Sequence, residues 1–186
     1  RHLGAPLEPA HPVGAASAAT YSNAKDDNTM KPTPSSATDS PPDLTGAAAA
    51  LSLAEDGELM GEHFPQVGRG GKLILIDAVG PNTARVRLPA SDDHLRPGGT
   101  ISGPAMVLLA DVGIYVAILA TLGRPALQAV TTSLNINFLK RPQPGELTAD
   151  VRLIKVGRRL VVAEVALLDA GGEAMVAHAT ATYSIP

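Results

Sequence analysis

Between Pro104 and Leu122 the chain runs for 19 residues with one charged side chain, Asp111, near the midpoint. Its ends are written clearly. Ser102 is a good N-cap, Pro104 suits the first turn, where its missing N–H costs nothing, and Gly123 followed by Arg124-Pro125 supplies a stop. The spacing predicts a helix from about Gly103 to Leu122. Such a helix is long enough to cross a bilayer, but a carboxylate at its centre costs roughly 2.5–3.5 kcal/mol on insertion scales. The half-polar strands predicted around it offer other cover. A helix apolar on all sides has to be enclosed, so the expectation is a core helix, with no membrane contact.

Those strands lie on both sides of the helix in sequence. "KLILIDAVG" and "TARVRLPA" flank the turn signal Pro81-Asn82; in the second, Ala84, Val86 and Leu88 alternate with Arg85 and Arg87, giving one dry and one wet face. After the helix, "QAVTTSLNINFLKRP" alternates in the same way. It places Val130, Thr132, Leu134, Ile136 and Phe138 on one face and Thr131, Ser133, Asn135 and Asn137 on the other. "ELTADVRLIKV" and "RLVVAEVALLDA" are joined at Gly157-Arg158, a hairpin signal. "EAMVAHATATYSIP" closes the chain, with Met175, Ala177, Ala179, Ala181 and Tyr183 on one face. A further helix is expected within residues 43–66, burying Leu51, Ala54, Leu59 and Phe64 and stopping at Pro65. The resulting class is α+β, an antiparallel sheet wrapped around one long helix.

Composition narrows the function. A net charge of -3 gives no electrostatic footprint for nucleic acid, and 3% aromatic residues with no tryptophan leave little for base stacking. Zero cysteines exclude disulfides, thiolate nucleophiles and cysteine metal sites. The five histidines, His2, His11, His63, His94 and His178, show no metal-ligand spacing, so no metal is expected. His63 and His94 are expected at the surface, with a place near an active-site mouth as the alternative. "GRGGK" at 68–72 is not a phosphate loop, because no Ser or Thr follows the lysine and a strand comes next. No G-x-S-x-G elbow is present. Residues 1–43, rich in Ala, Ser, Thr, Asp and Pro without apolar period, read as a disordered tail; the folded domain is expected over 44–186, in the cytoplasm.

Asp111 then has two readings. A structural hydrogen-bond network could hold it, or it could be a cleft carboxylate doing general-base work. Its i±3 and i±4 neighbours offer one hydroxyl, that of Tyr115.

Residues ~70–186 resemble the hotdog-fold acyl-CoA thioesterases of the phenylacetate-pathway (PaaI-like) type. "SGPAMVLLAD" stands where that family carries His-Gly-Gly, about seven residues and then Asp. "VTTSLNINFLKRP" is similar to its first strand after the helix, and "VGRRLVVAEVALLDAGGEAMVAHATATY" to its closing hairpin. The resemblance implies a hydrolase that splits an acyl-CoA or aryl-acyl-CoA into free acid and CoA. Asp111 would activate water or attack the thioester, the Gly103 N–H would polarise its carbonyl, and Thr131 would orient water. It implies no cofactor beyond the coenzyme A of the substrate, whose phosphates Lys140, Arg141, Arg158 and Arg159 would hold. Gly103 and Asp111 are about 12 Å apart along one helix at ~1.5 Å per residue, and in the family the site is completed across a homodimer, which is sometimes paired into a tetramer. Ser102 replaces the family's His and Arg96 its Asn, so Arg96 would either pair with Asp111 of the partner subunit or hold a substrate carboxylate. The alternative is a non-catalytic binder of acyl-CoA on the same scaffold.

Overall fold

The computed structural model describes residues 49–68 and 73–186. The tail expected over 1–43, His2 and His11, and nearly all of "GRGGK" lie outside the described residues. Eight strands and three helices follow in the order α1 (Leu53–His63), α2 (Pro65–Gly68), β1 (Leu75–Gly80), β2 (Thr83–Leu88), β3 (Leu95–Arg96), β4 (Thr100–Ile101), α3 (Gly103–Leu122), β5 (Val130–Phe138), β6 (Leu147–Val156), β7 (Leu160–Leu168) and β8 (Met175–Ser184). Six strands form one antiparallel sheet in the order β1-β2-β6-β7-β8-β5. The short pair β3-β4, which the sequence pattern does not announce, leads the chain into α3.

Helix α3 is enclosed as its composition demands. Leu109, Ala110, Ile114, Val116 and Ile118 are wholly buried. The sheet meets it with the small and branched residues that the alternation predicts: Ala84, Val86 and Leu88 on β2, and Ala177, Ala179, Ala181 and Tyr183 on β8. Closest approach falls at Gly113, where an added Cβ would lie 2.9 Å from Val86 Cγ2 and 3.0 Å from Val151 Cγ2. A methyl at this position would have to push two strands away. The opposite face of the sheet is wet and carries cross-strand ion pairs, Arg85–Asp150, Arg87 with Asp77 and Glu146, and Arg152–Glu164. Each is a surface pair worth well under about 1 kcal/mol.

Three expectations need correction. First, α1 begins only at Leu53, capped by Ser52 and Glu55 in a reciprocal capping box. It exposes Ala54 and instead buries Asp56 with Leu59 and Met60. Second, α1 does stop before Pro65, with Phe64 as its C-cap, but the chain does not leave helical structure there as expected: Pro65 opens the one-turn α2, the place where a proline's lost N–H matters least. Third, the alternation of β5 breaks at its start. Thr131 faces Tyr183 and Ser133 faces Thr182, so Thr132 is the extra residue of a β-bulge. The bulge turns Thr131 to the inward side of the sheet, the side of Tyr183, Leu134 and Ile136, while Asn135 and Asn137 stay exposed on the other side.

Candidate active site

Because α3 is buried along one side by the sheet, position 111 is carried to the line where β5 and β8 end. Asp111 is half-buried rather than sealed, and it lines an open cleft of about 460 Å³. Two hydroxyls reach one of its oxygens. Thr131 donates to Oδ1 at 2.7 Å and Tyr183 donates to the same atom at 2.5 Å, with a further contact from the Tyr183 hydroxyl to the Asp111 carbonyl at 2.8 Å. Neither is the hydroxyl that helical spacing offered. Tyr115 instead donates to the Leu127 carbonyl at 2.8 Å. Oδ2 has no hydrogen-bond partner among the described residues, and Asp111 lines the cleft.

Tyr183 is 2% exposed. Burial first, and then its hydrogen bond to Asp111, hold its phenol well above the ordinary tyrosine range, so it stays a donor. The β-bulge at Thr132 makes this arrangement possible, since without it Thr131 would point to the outer face. Tyr183 was legible in the sequence only as an inward-facing residue; its bond to Asp111 spans 72 positions. The remaining cleft wall is Phe64, Val112, Tyr115, Leu127, Ala129 and Val130, with His63 at the rim. His63, expected as a surface histidine, is exposed and also lines the cleft. His94 contributes its carbonyl, which accepts from the Ser102 N–H at 2.8 Å and so positions the start of α3.

That start forms a second cleft, of about 360 Å³, lined by Arg96, Gly103, Met106, Phe138, Lys140 and Arg141 among others. Ser102 caps the helix by accepting from the Ala105 N–H at 3.4 Å. Pro104 has no N–H, and the Gly103 N–H has no acceptor among the described residues. A free donor at the positive end of a 20-residue helix is suited to stabilising developing negative charge. The Phe138 ring covers Gly103, 3.4 Å from where a Cβ would sit.

The sequence-predicted residues therefore divide into two groups within one chain. Asp111 and Thr131 lie together at the β5 start. Gly103, Ser102, Arg96, Lys140 and Arg141 lie together at the β5 end. Arg158 and Arg159 are exposed in the β6–β7 hairpin, on the Asp111 side: Leu160 faces Ser184, and Ser184 faces Val130. Among the described residues no cluster of three metal-ligating side chains occurs.

Comparison with known proteins supports what this geometry suggests. Residues 98–176 match the family model described as "Thioesterase superfamily". A solved structure described as a "putative thioesterase" from Silicibacter sp. TM1040 is 42% identical, covering 74% of this chain and 94% of that one with a TM-score of 0.67. A Pseudomonas aeruginosa protein described as a "putative esterase" is 31% identical over 60% of this chain and 88% of its own length. The chain belongs to the thioesterase superfamily. A "putative thioesterase, phenylacetic acid degradation-related protein" from Ralstonia eutropha JMP134 is 28% identical, covering 68% of this chain and 98% of that one with a TM-score of 0.59. The fold is the hotdog arrangement, an antiparallel sheet with α3 as its central helix.

Proposed function

We propose that this thioesterase-superfamily chain hydrolyses acyl-CoA thioesters at a site shared between two copies. The carrying observation is the carboxylate of Asp111, which lines an open cleft and has one oxygen held by two hydroxyls and the other without a partner among the described residues. In the reaction that second oxygen takes a proton from water, the water oxygen bonds to the thioester carbon, and the C–S bond breaks to give the free acid and the CoA thiolate, whose sulfur takes the proton back from Asp111. Gly103 of the partner subunit supplies the N–H that holds the carbonyl oxygen as it becomes negative.

Strand β5 is the reason for invoking a partner. It closes one edge of the sheet and carries exposed apolar side chains, Val130 at 58%, Phe138 at 52% and, just after it, Leu139 at 58%. Such an edge invites pairing with another strand. Two copies pairing antiparallel through β5 bring the start of one strand, with Thr131 and Asp111, to the end of the other, with Phe138 and Gly103. The same pairing gathers Arg158 and Arg159 of one copy with Lys140 and Arg141 of the other, four fixed cations suited to the phosphates of CoA. Arg96 falls on the Gly103 side of each such site.

A thiol-release assay over an acyl-CoA panel tests this. Asp111→Asn should lower kcat by at least ~10²-fold, the scale expected for loss of a base. Unchanged turnover would remove the assignment. Binding of CoA thioesters by the native protein without thiol release would instead favour a non-catalytic binder.

A further inference from the structure

One residue borders two cavities. Val112, 3% exposed, is a wall of the Asp111 cleft and also of a second cavity of about 220 Å³ between α1, β1 and α3. Every described residue lining the second cavity is apolar or glycine, Met60, Val67, Ile74 and Val116 among them. In the cleft itself, the wall beside Asp111 is equally dry. Phe64 meets Tyr115 edge to face, with ring centroids 5.9 Å apart and an interplanar angle of 87°. Because the Tyr115 hydroxyl is engaged by the Leu127 carbonyl, the side chain presents its ring and not a free donor.

Charge on this wall points the same way. Among the described residues the one basic residue of the lining is His63, which is exposed and 3.6 Å from Glu62. The fixed carboxylate is Asp111 itself, and Arg96, Lys140 and Arg141 lie on the Gly103 side of a shared site, so a carboxylate at the far end of an acyl group lying on this wall would meet Asp111 and no fixed cation among the described residues. In the proposed reaction the thioester carbon lies beside Asp111, next to this wall, and the acyl group extends from that carbon.

We propose that the acyl group lies against Phe64, Tyr115 and Leu127, that it is uncharged and apolar, and that Val112 sets its length limit by closing the cleft off from the cavity beneath α1. This rests on the thioesterase reading and adds the substrate class to it. Val112→Ala joins the two spaces and admits a longer chain. Gly57 lines the far cavity, and a Cβ added there meets nothing within 4 Å, so Gly57→Leu can refill that space.

The test is kcat/KM for butyryl-, octanoyl-, dodecanoyl- and succinyl-CoA in the full-length protein. In the native enzyme succinyl-CoA should be at least about tenfold poorer than butyryl-CoA. Val112→Ala should raise the dodecanoyl-to-butyryl ratio by about tenfold or more, the scale set by a few methylenes in an apolar pocket. Adding Gly57→Leu to Val112→Ala should return the ratio toward native. Should Val112→Ala fail to fold, Val112→Ile moves the limit the other way and should lower the octanoyl-to-butyryl ratio. An unchanged ratio in folded Val112 variants, or succinyl-CoA as a preferred substrate, overturns the proposal. If Asp111→Asn still abolishes turnover in that case, the thioesterase reading stands. If the native protein hydrolyses no member of the panel, both fall.

Discussion

Two carboxylates on neighbouring helices have opposite surroundings. Asp111 on α3 is half open to a cleft and receives hydroxyl hydrogen bonds from Thr131 and Tyr183 on one oxygen. Asp56 on α1 is fully buried, and neither of its oxygens has a partner among the described residues. Donors offset the desolvation of the first; among the described residues nothing offsets that of the second. Burial accordingly pushes the Asp56 carboxyl up to about 7, and burial, with a smaller contribution from the Asp56 charge, raises the nearby Tyr115 phenol. A buried acid in a cleft protein is thus not by itself a catalytic acid. The placement of donors and a free oxygen separates the proposed base from the merely trapped acid.

The largest effect expected from this contrast is on stability. Folded Asp56 keeps its proton to about pH 7, whereas an unfolded chain releases it near 3.8. The folded state therefore binds more protons between these values, and stability falls as pH rises from about 4 to 7, then levels. At ~1.4 kcal/mol per pH unit the whole drop is on the order of 4 kcal/mol. Asp56→Asn should remove it, making the variant more stable than the native protein at pH 8 by up to that amount in denaturant melts. A flat native profile over this range would show that Asp56 finds a partner in solution.

Next in size comes the donor set of Asp111. Tyr183→Phe removes a hydrogen bond to a charged group, a contact worth about 1.5–3 kcal/mol. It should lower kcat about tenfold with KM nearly unchanged, and Thr131→Val should act similarly. Thr131→Ser, which keeps the hydroxyl, should restore most of the rate. Loss of KM rather than kcat would assign both hydroxyls to substrate binding. The last effect belongs to a position two residues along α3 from Asp111 that packs against β2 and β6 and does not line the cleft. Gly113→Ala should cost about 1–3 kcal/mol of stability through overpacking against Val86 and Val151, with the acyl-CoA preference unchanged.

Much of this frame can be read from local pattern. The length, cap and stop of α3, the dry face of β2 and the alanine face of β8 all follow from residues within a few positions of one another. The features that make the site do not. Thr131 reaches Asp111 only because a bulge at Thr132 reverses its face, and that bulge is fixed by register against β8, some fifty residues on. Strict alternation therefore gave the wrong face for Thr131 even though the residue itself was singled out. Tyr183 and Asp56 were missed for a related reason. Each has its surroundings fixed by a distant element, β8 against α3 in one case and α1 against α3 in the other, and no spacing along the chain encodes either.

The shared site itself can be tested by mixing two defective chains. Asp111→Asn removes the acid. Gly103→Pro removes the N–H at a first helical position that tolerates proline, after a Ser102 already extended at φ -77° and ψ 152°. If each site takes its acid from one copy and its N–H from the other, half of the randomly mixed dimers are hybrids with one intact site, and activity should recover to about one quarter of native. If the mixture stays as inactive as either variant alone while hybrid dimers are shown to form, the two groups do not meet across copies, and the account is wrong.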